Sequence, residues 1–192
     1  MVITGNPKES GADLAVVIVN TWEPLPYPHE GLEDVDDLRI FLRAVGRPEA
    51  ADAVADRDLV EFKDLRGRLR RVFEADDVAE AAAVLNTLAT ESGAVPRLAP
   101  SADGWRLEFG PEHGSITSRL AATAAVALIE IVRAHGLTRF GTCAADPCTC
   151  AYVDRTKNRS KRYCCELCAD RAAQRKSRAR RRAHLASDAN PL

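Results

Sequence analysis

Through most of the chain, apolar residues return every three or four positions, the spacing of one helix face. In "DVDDLRIFLRAVG", Leu38, Phe41, Leu42 and Val45 fall on such a stripe and are expected to face a core. Acids open that segment and Gly46 closes it, as the helix dipole and a glycine stop require. The stripe returns in "DRDLVEFKDLRGRLRRVFEA" through Leu59, Phe62, Leu65, Leu69, Val72 and Phe73. "DDVAEAAAVLNTLATESG" reads as a further helix stopped by Gly93. The Ala-rich "SITSRLAATAAVALIEIVRAHG" is expected near the centre, with Ser115 as its cap and Gly136 as its stop.

Three stretches depart from this pattern. Residues 12–22, "ADLAVVIVNTW", are apolar almost all round, so a helix there would be buried on every side. The β-branched run also suits a strand; helix is preferred because helices follow it. "WEPLPYPHEG" is broken by Pro24, Pro26 and Pro28. Between two glycines, Trp105, Leu107 and Phe109 alternate with Arg106 and Glu108, which predicts a short half-buried strand of a hairpin. No internal repeat is evident. No run of 18 apolar residues is present, so no membrane span is expected. "MVITGNPKES" lacks the basic and apolar regions of a secretory leader, and a cytoplasmic protein is expected.

Charge changes the picture at residue 139. The 192-residue chain carries a net charge of −1, yet residues 139–185 hold 13 Lys or Arg against four acids. That segment is therefore +9 and the remainder −10, an acidic domain carrying a basic module. All six cysteines lie between Cys143 and Cys168. They read Cys143-x4-Cys148-x-Cys150, then, after 13 residues, Cys164-Cys165-x2-Cys168. A secreted disulfide scaffold would spread them; clustered pairs in a reducing compartment point to a metal. Zinc is the default, because it accepts four thiolates and holds together modules that lack a core. An iron–sulfur cluster makes the same demand, and redox-active thiols are the remaining reading. Spacing alone does not choose four ligands from six. His135 and His184 flank the cluster and read as surface residues.

The run C-x4-C-x3-Y-x-D-R-x2-N-R-S-x-R-Y-C…C-A-D-R resembles the CGNR zinc-finger module. That module ends bacterial proteins whose N-terminal part is the ABATE domain, a family of candidate stress-induced transcription regulators. "VIVNTW", "DDLRIFL", "LRGRLRRVF" and "VLNTL" are similar to the helical segments of that domain. The resemblance implies one zinc ion on Cys143, Cys148, Cys164 and Cys168. Cys165 then falls where serine is usual, and Cys150 where a small or apolar residue is usual. The signature Cys-Gly-Asn-Arg stands here as Cys168-Ala169-Asp170-Arg171, and Val17 takes the place of a frequent aspartate. The fold expected is thus mainly α: a helical domain with a short β-hairpin over 1–138, then over 139–192 a small four-Cys zinc module ending in a basic helix.

From Cys168 to Pro191 no proline or glycine interrupts a helix-favouring run. On a helix, Arg171, Arg175, Arg178 and Arg182 form one narrow stripe, with Lys176 on a second face. Ala172, Ala179 and Ala183 form a smooth side suited to packing on the domain. Upstream, Arg155, Lys157, Arg159, Lys161 and Arg162 occupy the turn between the cysteine pairs. Arginine outnumbers lysine 10 to 3 in the module, which suits bidentate phosphate contacts. Tyr163 could stack on a base, though a core position at the helix start is preferred.

The leading expectation is a zinc-dependent DNA-binding transcriptional regulator, with DNA favoured over RNA for want of exposed aromatic platforms. The alternatives are RNA binding by the same surface, or a protein-interaction module whose acidic domain takes the basic tail within or between chains. A homo-oligomer is left open. No P-loop, dinucleotide glycine motif, HExxH or nucleophile elbow occurs, and four thiolates close a zinc site, so no enzyme is expected. Asn20 and Thr21 sit within an apolar stretch. Buried polar groups need partners, and a satisfied core hydrogen bond or helix end is the preferred account. The other is a small-molecule effector pocket lined by Asn20, Thr21, Trp22 and the loop to His29.

Overall fold

The computed structural model describes residues 6–7, 10–23, 29–101 and 104–188. Along these, helix α1 (Gly11–Val19) leads through β1 (Trp22–Glu23) and β2 (His29–Glu30) to α2 (Val35–Ala44) and α3 (Pro48–Ala51). The long α4 (Asp56–Glu74) and α5 (Val78–Glu91) follow, then the hairpin β3 (Pro96–Ser101) and β4 (Gly104–Phe109). Helix α6 (Ile116–His135), β5 (Phe140–Thr142), β6 (Ala151–Val153) and α7 (Glu166–Asp188) complete the order. The fold is mainly α, and its strands pair only as two-stranded antiparallel sheets.

Helix α1 is the axis. Residues 12–19 are buried without exception, as a helix apolar almost all round must be, and the one charge among them, Asp13, is held by the Asn6 N–H and Arg155. It lies against α4, α6 and β6. A β-carbon on Gly11 would sit 2.7 Å from the Thr123 carbonyl oxygen, so glycine permits the close approach of α1 to α6. The helix stops at Asn20, short of the expected Trp22, because α4 supplies a partner for its open end. There Arg70 Nη2 donates to the carbonyls of Val19 (3.1 Å) and Trp22 (3.0 Å), placing a cation on orphan acceptors. One turn earlier, Arg66 grips both oxygens of Glu30 at 2.6 and 2.7 Å and ties β2 to α4. Burial opposes ionisation of Glu30, but the Arg66 contacts, the Leu32 N–H and Lys63 hold its carboxyl below the ordinary value.

The expected core stripe of α2 is buried, and Phe41 meets Phe62 of α4 edge-on at 5.0 Å. Ser115 caps α6 by accepting from the Ser118 N–H, and Gly136, at φ 59°, ends it. Pro24, Pro26 and Pro28 lie outside the described residues.

The hairpin is present, but it turns paired charges rather than its large apolar residues inward. The hairpin does not bury Trp105 and Leu107, which are 72% and 60% exposed, as is Leu98 at 68%. Its inward face instead carries Ala99 and the cross-strand ion pair Arg97–Glu108. A strand of period two can bury only one of its faces, and here the paired charges go inward.

Candidate metal centre

The sequence from Phe140 to Val153 forms a hairpin whose loop carries the first cysteines, and the chain then returns over a second turn into α7. Local hydrogen bonds shape the first knuckle: Cys143 N–H donates to Cys150 O (2.9 Å) and Cys148 N–H to Ala145 O (2.7 Å). Ala144 N–H donates to Arg162 O (2.8 Å), which draws the second turn across the first. The sulfurs of Cys143, Cys148, Cys164 and Cys168 consequently lie within 4.8 Å of one another, and all four residues are buried. Sγ of Cys164 is 3.8 Å from that of Cys148 and 3.6 Å from that of Cys168. A tetrahedral zinc with bonds of ~2.3 Å requires sulfurs ~3.8 Å apart, so the donor set fits the ion in type, number and spacing.

Geometry separates the six thiols. Cys150 Sγ turns to Glu23 Oε1 (3.4 Å), and Cys165 is half-buried with its sulfur 3.8 Å from that of Cys164. Cys164 precedes α7 rather than lying on it, so the i,i+4 relation of Cys164 and Cys168 spans the helix start, where the positive end of the dipole favours thiolate.

The thiols do not ionise alike. Burial pushes the Cys148 thiol up to about 12, helped by the charges of Cys164 and Cys143. Burial and the neighbouring Cys164 also push Cys168 up to about 12. Cys164 is raised by its hydrogen bond with Cys150 and by burial. Burial opposes ionisation of Cys143 too, but the N–H groups of Cys164 and Ala145 outweigh it and leave this thiol below its ordinary value. Four thiolates in so small a volume repel one another, and a dication is the natural counter-charge.

A residue the motif reading left without a role organises the second turn. Asp154 Oδ1 accepts from the N–H and hydroxyl of Thr156 (both 2.7 Å), and Oδ2 from Lys161 N–H (2.9 Å). Burial works against its charge, yet these donors keep the carboxyl below the usual range. An aspartate followed by threonine two positions on is a known turn signal, and it was there to read. Arg139 closes the loop from the other side through the carbonyl oxygens of Thr156 (2.7 Å) and Asp154 (3.3 Å).

Asn20 and Thr21 make the satisfied hydrogen bonds that the sequence reading preferred. Asn20 Nδ2 donates to Ala151 O (2.9 Å) while Ala151 N–H donates to Asn20 Oδ1 (2.8 Å). The side-chain amide thus pairs with β6 as a peptide group would, and fastens the module to α1. Thr21 Oγ1 donates to Ile18 O (2.8 Å). Trp22 lies under the Arg70 guanidinium, 5.5 Å from ring centroid to carbon. Thr21 Oγ1 also accepts from Arg66 Nη1 (3.3 Å), so the polar groups of both residues serve as joints of the fold; residues 24–28 of the loop considered with them lie outside the described residues.

The cations expected to meet nucleic acid divide into engaged and open groups. Arg155 pairs with Asp13 (2.9 Å) and Ser10 Oγ (2.7 Å) on α1, and Arg175 with Asp146 (2.7 Å). Lys161 covers the Tyr152 ring at 5.2 Å and Arg162 the half-buried Tyr163 at 5.9 Å. Lys157, Arg159, Arg171, Lys176, Arg178 and Arg182 are exposed and make no ion pair among the described residues. Of the alanine side expected on α7, Ala172 reaches the sulfur cluster and Ala179 is exposed with the rest of residues 173–182, while the side chain of Ala183 lies outside the described residues. Repulsion among its cations and the small size of alanine leave little to draw it onto the domain.

Comparison with known families places these parts. A family model named ABATE, described as "Putative stress-induced transcription regulator", matches residues 12–135. The chain belongs to the ABATE family. A second model, the CGNR zinc finger, matches residues 139–181 and takes in all four clustered cysteines of this ABATE member. No curated protein matches the chain. Among the described residues of this ABATE protein, no helix is long and apolar enough to cross a membrane.

Proposed function

We propose that this ABATE protein is a zinc-dependent, DNA-binding transcriptional regulator of the bacterial cytoplasm, without catalytic activity, built as a regulatory part (1–138) and a nucleic-acid-binding part (139–192). The observation that carries the reading is the exposed α7, which projects seven cations between Arg171 and Arg182 from the sulfur cluster, with only Arg175 in an ion pair among the described residues. Such a helix repels itself in isolation, and a phosphate backbone relieves that repulsion. Zinc, when bound to Cys143, Cys148, Cys164 and Cys168, supplies a rigid cross-link and offsets their negative charge. The chain's own residues do the rest. Asp154 and Arg139 hold the inter-cysteine turn that carries the exposed Lys157 and Arg159. Asn20 and Arg155 fix the hairpin to α1, so that the cationic surface has a defined attitude to the regulatory part.

A fluorescence-anisotropy titration of labelled duplex against salt tests this. With about six phosphates neutralised, log K falls against log salt with a slope near −5. Absence of salt-dependent binding overturns the proposal, and tighter binding to structured RNA than to duplex DNA would reassign the partner.

A further inference from the structure

A cavity of about 460 Å³, with none of the cysteines in its lining, belongs to the helical part. Four elements wall it: the first turn of α1, α3 with its preceding Arg47, strand β4, and the N-terminal half of α6. The wall is apolar at Phe109, Ile116 and Leu120, of which the last two are buried. Arg119 of α6 lines it as well. Its Nε is buried without a hydrogen-bond partner, and its guanidinium makes no ion pair among the described residues. Nearly all buried polar groups of a folded protein are satisfied, so a buried Nε left bare points to a partner that is missing. Glu108, on the same wall, is already held by Arg97. Glu49 also lines the cavity, which weighs against a multiply charged anion.

We propose that this cavity is an effector site for a small monocarboxylate with an apolar tail. Nε and a terminal nitrogen of Arg119 form the flat two-donor edge that a carboxylate matches, and the aliphatic and aromatic wall takes the tail. A cavity of this volume is within the ~300–1,000 Å³ typical of small-molecule sites. The site also has a path to the module. Ser10 lines the cavity, caps α1, and accepts the hydrogen bond of Arg155 from the inter-cysteine turn at 2.7 Å. A ligand that shifts the first turn of α1 therefore acts on the contact that orients the cationic surface.

The proposal deepens the regulatory role given to residues 1–138, but its test needs no nucleic acid, so either reading can fail alone. Thermal shift and ligand-observed NMR are run on the full zinc-loaded chain with butanoate, hexanoate and phenylacetate, with the matching amides and with inorganic phosphate. The expected result is saturable binding of at least one acid, rising with tail size, at least tenfold weaker for its amide and absent for phosphate. Arg119→Gln should weaken acid binding at least tenfold while far-UV circular dichroism and zinc content stay unchanged, and Arg119→Lys should restore part of it. Three results overturn the site: no binding by any of the acids, equal binding of acid and amide, or undiminished binding by a folded Arg119→Gln chain. Should that variant not fold, the acid–amide comparison on the native chain decides alone.

Discussion

The two parts of the molecule are held together by different physics. Residues up to about α6 bury a continuous aliphatic and aromatic core, in which Leu14, Ile18, Leu38, Phe41, Phe62, Leu69 and Leu128 are almost wholly removed from water. The module beyond has a second cluster made chiefly of sulfur, with Tyr152 and Ala145 as its main hydrocarbon. The first can fold by expelling water from apolar surface; the second has too little such surface and needs a cross-link. They meet at β6, where Ala151 and Val153 belong to the aliphatic core and Phe140 lies 5.1 Å from Phe73 of α4. The contrast teaches that the module is half a domain: its hairpin borrows the neighbour's core, and its knuckles are left with four clustered sulfurs of the type and spacing that a metal takes.

The largest expected effect separates the halves. Removing the metal with a chelator should abolish amide-exchange protection across residues 143–168 and duplex binding with it, while α1, α4 and α6 remain protected. Structural zinc contributes about 10–16 kcal/mol to comparable modules, so little of the knuckle should survive. Hydrogen exchange measured with and without chelator checks this, and uniform loss across both parts would break the distinction. Because three of the four thiols hold their protons tightly, metal uptake must displace those protons, and affinity should fall as pH falls.

Next in size is the converse. Phe62→Ala should cost about 3–5 kcal/mol, read as a lower denaturant midpoint, because it empties a closed contact with Phe41. Zinc per chain should not change under native conditions.

The joint comes third. Asn20→Ala strands the N–H and carbonyl of buried Ala151, at about 1–3 kcal/mol for each group left unsatisfied. Denaturant unfolding should show the loss, and the exchange rate at Ala151 should rise more than that at Cys143.

The smallest effect is a pH dependence in the helical part. The folded Glu30 carboxyl lies below its ordinary 4.5, so the folded state binds fewer protons than the unfolded one. Its contribution is complete above the ordinary value and is lost as pH falls through the folded value. In Glu30→Gln this share of the acid-side slope should vanish from the midpoint-versus-pH curve.

What was legible follows the same division. Helices α2, α4, α5 and α6 were plain from periodicity because each has one wet and one dry face. The choice of the four clustered cysteines needed the family resemblance, since spacing does not separate Cys148 from Cys150 or Cys164 from Cys165, and only the crossing of two turns does. For Asn20 a satisfied hydrogen bond was legible but its partner was not, because Ala151 lies 131 residues away and offers backbone, which carries no sequence signature. Which face of β4 turns inward was not legible, because alternation shows that two faces differ, not which one meets the domain. The open attitude of α7 was missed for a similar reason: a row of alanines promises packing only if something lies opposite.

The central claim is that four particular sulfurs bind one ion and so organise the cationic surface. Its most direct test is zinc per chain, measured by elemental analysis of the purified wild type and six single Cys→Ser variants. The account predicts one zinc in the wild type, one in Cys150→Ser and Cys165→Ser, and markedly less in Cys143→Ser, Cys148→Ser, Cys164→Ser and Cys168→Ser. A metal-free wild type that keeps residues 143–168 folded, or loss of zinc in Cys150→Ser with retention in Cys143→Ser, would contradict it.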